Sequence, residues 1–401
     1  MNKRIISICL MIFTFVFCVY GCENKEENTD KSVITDNTFN IGLLLPEGNE
    51  TSTEIESGVM YAHSLANTVN LEETVNVNYI EQYYKNGTDV KLCAESLIAN
   101  GVSIIIYGGD DLSSYNSFCD CVSEIEIPVI SLSPYSSSCD NFFSLTLSPK
   151  FISSCAATYA MEKGYSHCAV LCENSEKYYS DFAQTYKSTL NSYIGTEPTV
   201  YYKSGELENY SPSALISGNY DYLLLIASQT NREDLVTELR NGGFNGEIML
   251  TEVLSKGSLK NNIFDRCSFI SKLEEDSSNN ISTVFCSAYA EQAGIGIGEI
   301  SPSVAYGYDA YMTAFEALKS FAPKKSSLSF SNEGIAETDV TSQDNDILLS
   351  EYTDALNNTI YFGVTDTIKF KEHSSVPTYI YVDNIITADI LFGSKYTFAS
   401  D

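Results

Sequence analysis

VSIIIYGGDDLSSYN, residues 102–116, is the stretch on which the fold turns. Val102 to Tyr107 is a short apolar run of strand length, rich in β-branched side chains and without a polar face, the pattern of a strand covered on both sides. Gly108 and Gly109 end it, and from Ser114 to Glu124 the pattern takes a helical period. A strand covered on both faces needs helices on both faces. This one unit therefore asks for a mainly parallel sheet inside an α/β layer structure.

The same unit recurs in both directions. Upstream, NIGLLLP (40–46) holds a strand from Ile41 to Leu45 ended by Pro46, followed by a helix with Ile55, Val59, Ala62 and Ala66 on one face. A strand from Val75 to Ile80 and a helix with Val90, Cys93 and Leu97 come next. Downstream, Ile127 to Leu132 is a strand, and Phe142 to Leu147 leaves this layer. A second series then begins: helix 151–163, strand 167–172, helix 177–192, strands 199–202 and 222–227, helix 232–241 and strand 247–250. Val304, Tyr308, Tyr311, Phe315 and Leu318 mark a long apolar helix face, 323–342 reads as a polar loop, and Tyr379 to Val382 alternates as a late strand. The pattern predicts two doubly wound, Rossmann-like α/β lobes.

Composition limits what such lobes can do. The 401 residues carry a formal charge of -30, which repels nucleic acid and anionic lipid headgroups. The three histidines (His63, His167, His373) are far apart, and neither an H-E-x-x-H pair nor a G-x-S-x-G elbow occurs. The expectation is no enzyme, no metal and no cofactor. Beyond Cys22 nine cysteines remain, among them Cys93, Cys155, Cys168 and Cys172 on apolar faces, where they act as small hydrophobes.

In open α/β sheets ligands collect beyond the carboxyl ends of the strands, where helix amino termini expose unpaired N–H groups. In the first lobe those loops hold Gly108, Gly109, Ser113, Ser133 and Tyr135; in the second they hold 173–178, including Tyr178, then Ser228, then Glu252. This set suits a small zwitterion, its carboxylate on the hydroxyls of the first lobe, its ammonium on Glu252, with Tyr178 covering it. Each residue has a plainer role open to it. Ser113 and Ser133 can cap helices, Glu252 can be a solvated acid, and Tyr178 can cover a helix surface.

With NIGLLLP, VSIIIYGGDDLSSYN, IPVISLSPYSS (127–137), HCAVLCENSEKYYSDFA (167–183), the run 221–252 and SPSVAYGYDAYMTAFEAL (301–318) in this order, the chain resembles the type I periplasmic binding proteins of the leucine/isoleucine/valine-binding family. The resemblance implies two lobes joined by a three-segment hinge, 40–147 plus 283–361 in one and 148–282 plus 362–396 in the other. It implies that Ser113 and Ser133, with Tyr135 beside them, lie where a ligand carboxylate is held, that Tyr178 closes over it with Ser228 lining the pocket, and that Glu252 takes the ammonium. It also implies a monomeric receptor for an amino-acid-like small molecule, working with an ABC permease in the membrane. Residues 1–22 have the charged start and apolar run of a secretory signal. Val19-Tyr20-Gly21-Cys22 resembles a bacterial lipobox, which implies lipid attachment at Cys22; an uncleaved anchor and a plain signal peptide are the alternatives. The polar stretch 23–39 then reads as a flexible tether with a reach of roughly 20 Å. The other functional class open to this fold is a lipoprotein without transport that acts through protein contacts as a sensor or cell-wall regulator.

Overall fold

The computed structural model describes residues 38–69, 75–123, 127–135, 139–273, 280–330, 342–386 and 389–397. The expected leader and lipid-bearing Cys22 lie outside them. Thr38 and Phe39, assigned above to the tether, already belong to the first strand.

The chain opens with β1 (Thr38–Pro46), α1 (Glu50–Val69), β2 (Asn76–Tyr84), α2 (Gly87–Ala99), β3 (Val102–Tyr107), α3 (Leu112–Ser123), β4 (Val129–Ser131) and β5 (Phe142–Ser144). These five strands pair in parallel in the order 2-1-3-4-5. A second series repeats the plan with α4 (Pro149–Lys163), β6 (Cys168–Cys172), α5 (Lys177–Ile194), β7 (Thr199–Tyr202), α6 (Pro212–Ser217), β8 (Tyr222–Ile226), α7 (Gln229–Asn241), β9 (Glu247–Glu252) and β10 (Cys267–Ser271). Its order, 7-6-8-9-10, is the first order again. The chain returns through α8 (Asn280–Ala293), α9 (Pro302–Phe330), α10 (Ser342–Asn358), β11 (Ile360–Phe362), β12 (Thr367–Lys371) and β13 (Ser374–Ser375), and ends in β14 (Tyr379–Ile386) and β15 (Asp389–Thr397).

Hydrophobic periodicity explains most of this. Ile55, Val59, Ala62 and Ala66 turn one face of α1 into the first core, where they meet Tyr311, Ala314, Phe315 and Leu318 of α9. Burying each large apolar side chain is worth about 1.5–3 kcal/mol. Those two helices approach so closely that a Cβ on Gly58 would lie 2.0 Å from the Val304 carbonyl oxygen, and one on Gly307 2.2 Å from that of Ile55. In α2 the buried face is Val90, Ala94 and Leu97, while the expected Cys93 is only partly covered. Cys155, Cys168 and Cys172 are buried in the second core. Among the described residues no helix is long and apolar enough to cross a membrane.

The chain passes between the lobes three times. Leu145 packs in the first core and Leu147 in the second; Ser271 ends β10 and Leu273 joins a cluster with Tyr61 and Val304; Phe370 packs in the first core and Ile380 in the second. Two expected boundaries move as a result. Residues 362–375 join the first sheet, because β12 and β13 extend it beyond β5, so the last passage falls after Ser375 rather than at Phe362. The second passage falls before Leu273 rather than at Thr283. The loop expected from Pro323 does not begin there, since α9 continues through that proline to Phe330.

Buried charges pin each passage. Glu252 accepts from the Leu147 amide at 2.8 Å, and Lys272 donates to the Leu145 carbonyl at 3.2 Å. Asp309 accepts from the amides of Val364 and Thr365, both at 2.8 Å. Asp366 accepts from the Thr378 amide at 2.7 Å.

Candidate functional site

In a 2-1-3-4-5 sheet the strand order reverses between the first and third strands, and the loops leaving those two strands diverge to open a crevice. In the first lobe these are the loops after β1 and β3; in the second, those after β6 and β8. A cavity lies where the second lobe's crevice meets the loop after β4. Pro134 and Tyr135 come from the first lobe, Leu147 from the first passage, and Tyr178, Ser228, Arg232 and Glu252 from the second. Its volume is about 20 Å³, room for roughly one water. The two lobes are closed on each other.

Side chains of both lobes meet along the seam. The Tyr178 hydroxyl donates to the Pro134 carbonyl at 3.2 Å, and the Tyr178 ring stands edge-on to Tyr135 at 4.7 Å. The hydroxyls of Tyr135 and Tyr179 lie 3.3 Å apart, and Tyr135 donates to the Asp110 carbonyl at 2.8 Å. The Asp110 carboxylate reaches over to α7, accepting from the amide and hydroxyl of Thr230 at 3.3 and 3.1 Å. Burial raises the Asp110 pKa, and the Thr230 hydrogen bonds oppose that rise. Beyond the cavity, Leu254, which follows β9 of the second lobe, is buried in the first core, and its carbonyl accepts from the Ser303 amide at 2.8 Å.

Four of the six expected ligand residues line the cavity: Tyr135, Tyr178, Ser228 and Glu252. Ser228 caps α7, its hydroxyl accepting from the Asn231 amide at 3.3 Å while its own amide donates to Glu173 at 2.7 Å. Ser113 and Ser133 are elsewhere. Asp111 takes the amino-terminal capping role in α3, accepting from the Ser114 amide at 2.7 Å. That turns Ser113 outward, where it is exposed beside Gly87. Ser133 is wholly buried and holds its own loop, accepting from the Tyr135 amide at 3.4 Å and, through its carbonyl, from Thr146 at 2.6 Å.

Glu252 also differs from the expected free acceptor. Its Oε2 holds the Leu147 amide and its Oε1 holds the Tyr306 hydroxyl. Burial raises its pKa; Tyr306, Lys272, the Leu147 amide and Arg232 pull it back. Its backbone carbonyl accepts from Gln229 at 2.8 Å and Arg232 at 3.2 Å.

Arg232 is the residue that sequence reasoning missed. It begins the second turn of α7, where an arginine is by default a solvated side chain, yet it is only 4% exposed and forms part of the cavity wall. Its guanidinium donates to Gln229 Oε1 at 2.8 Å, Thr251 Oγ1 at 3.2 Å and the Glu252 carbonyl, all neutral acceptors. Its Nε has no partner. Burial lowers its pKa to about 10, so it remains a cation at neutral pH.

No protein-family model matches the chain, and no curated protein does. Solved structures match it over nearly its whole length. The leucine-binding protein LivK of Thermotoga maritima superposes with a TM-score of 0.71 at 16% identity, covering 90% of this chain and 99% of that one. The branched-chain amino acid binding protein LivJ of Streptococcus pneumoniae, solved with isoleucine, gives 0.69 at 15% identity over 90% and 99%. An ABC transporter solute-binding protein of R. palustris, solved with 4-hydroxybenzoate, gives 0.69 at 12% identity over 90% and 97%. With two sheets of one strand order, three passages between them and this likeness, the chain has the two-lobed fold of the type I periplasmic binding proteins.

Proposed function

We propose that the protein is an extracytoplasmic solute receptor, tethered through lipid on Cys22, that closes two lobes around a small molecule bearing a carboxylate and hands it to an ABC permease. An amino acid or a similar small acid is the solute class, and no bond is made or broken. The observation that carries this reading is the placement of the cavity: side chains from both lobes wall it at the carboxyl ends of the strands, next to a strand-order reversal. The solutes named for the LivK, LivJ and R. palustris structures are of the same class. A cavity of about 20 Å³ admits no solute as it stands. Entry therefore requires the lobes to part about the three passages, and a ligand bound to both lobes shifts the balance back to the closed form.

A second reading draws on the same closure. Tyr135, Tyr179 and Leu254 fill the seam with the protein's own side chains, which suits a lipoprotein of this fold that keeps its lobes shut and acts through protein contacts. Native mass spectrometry of the purified protein, together with thermal melting against amino acids and small aromatic and aliphatic acids, separates the two. A receptor at a hundredfold excess over Kd gains about 2.7 kcal/mol, a rise of several degrees. Folded protein with no bound small molecule and no rise across the panel contradicts the receptor.

A further inference from the structure

Taking the receptor reading as its basis, we infer that the solute is a monocarboxylate without an ammonium group, with an apolar or aromatic body, and that Arg232 of the second lobe binds its carboxylate. The polarity expected from the sequence is thereby reversed: the anion is read by the second lobe, and nothing in the cavity is reserved for a cation.

Two sets of groups lead there. The carboxylates around the cavity are already engaged: Glu252 by the Leu147 amide and Tyr306, Asp110 by Thr230, and Glu173 by the Ser228 amide at 2.7 Å and Asn231 at 2.6 Å. An incoming ammonium would find acids that already hold donors, and at Glu252 the cations Lys272 and Arg232 act on the same carboxylate. Arg232 is in the opposite position. It is a buried cation whose hydrogen bonds all go to neutral oxygens, with an unpartnered Nε. No carboxylate of the described residues forms an ion pair with it, and Asp110, Glu173 and Glu252 act on it only at longer range. A buried charge without a paired counter-ion is costly, and a planar guanidinium is the group best matched to a carboxylate. Beside the polar Ser228, Gln229 and Thr251, most of the lining is apolar or aromatic, including Leu147, Ile152, Tyr178, Phe182 and Ile226, and offers dispersion contacts to a hydrocarbon or ring.

Calorimetric titration of the full chain with four probes tests this: 4-methylpentanoate, benzoate, leucine and isopentylamine. The inference predicts that at least one of the two acids binds ten or more times more tightly than leucine, and that isopentylamine does not bind. Arg232→Met should weaken the acid by roughly tenfold to a hundredfold, with Arg232→Lys between it and the unaltered protein. Leucine binding more tightly than both acids, isopentylamine binding in their place, or full acid affinity in Arg232→Met overturns the inference while the receptor reading stands. Absence of binding by all probes and all solutes of the wider panel removes both. The probe comparison is made on the unaltered protein, so it decides the matter even where a variant fails to fold.

Discussion

The carboxylate of Asp110, in the first lobe, caps the amino terminus of α7 in the second by accepting from the amide and hydroxyl of Thr230. An acid at a helix amino terminus is favoured by the exposed N–H groups and the helix dipole, and here the contact forms only while the lobes are closed. Asp110→Ala removes it without disturbing either core. The closed form should lose about 1.5–3 kcal/mol, seen as a larger radius of gyration in small-angle scattering of the ligand-free protein. An unchanged radius would show that other contacts hold the seam.

Gly58 and Gly307 set the crossing of α1 and α9, where a methyl group on either would strike a backbone carbonyl. Backbone cannot yield as the end of a side chain can. Gly58→Ala and Gly307→Ala should each cost more than about 3 kcal/mol, read as a fall in the urea midpoint; a loss under about 1 kcal/mol would mean that the helices separate easily.

Burial lifts the pKa of Asp309 from 3.8 to about 6. Between those values the folded chain holds a proton there that the unfolded chain releases, so the contribution of Asp309 to stability is greatest below about pH 4, falls as the pH rises to about 6, and does not return. The span is on the order of 3 kcal/mol. Burial shifts Asp110, Glu54 and Glu252 in the same direction. Urea unfolding should therefore show lower stability at pH 7.5 than at pH 4.5, and a smaller difference in Asp309→Asn. Stability rising over that interval would refute the assignment.

Glu252 sits where three parts of the chain meet, and removing it orphans the Leu147 amide and the Tyr306 hydroxyl and takes a negative charge from beside buried Lys272. Glu252→Ala should cost about 3–5 kcal/mol of stability, whereas Glu252→Gln, which keeps an acceptor for Tyr306, should cost less. Thermal melting of both variants gives the comparison. Equal and small losses would return Glu252 to the role of a free acceptor for ligand.

How far the fold was legible depended on whether the signal was local. β3, β6 and β8 read directly because an apolar run between turn residues is a covered strand, and α1 read because Ile55, Val59, Ala62 and Ala66 recur at helical spacing. The sheet that 360–375 joins was not readable, since a strand's alternation is the same whichever sheet it extends. Cys93 and Ala94 exchanged places because both are small and adjacent on the helix. At the site, the strand-end rule named Tyr135, Tyr178, Ser228 and Glu252, and these four line the cavity. It failed for Ser113 because Asp111, two residues earlier, makes the better cap and sets the rotation of α3. Arg232 had no signal beyond its place early in α7, because burial of a charged side chain is decided by the tertiary partners around it.

Opening and closing of the two lobes is the most direct test of a receptor. Distances between spin labels on genetically encoded handles at exposed Leu92, in α2, and exposed Leu207, before α6, would be measured by pulsed electron resonance with and without the tightest-binding small acid. The receptor account predicts two distances in the free protein, the longer one disappearing as ligand is added. A single distance unmoved by every solute tested would contradict it.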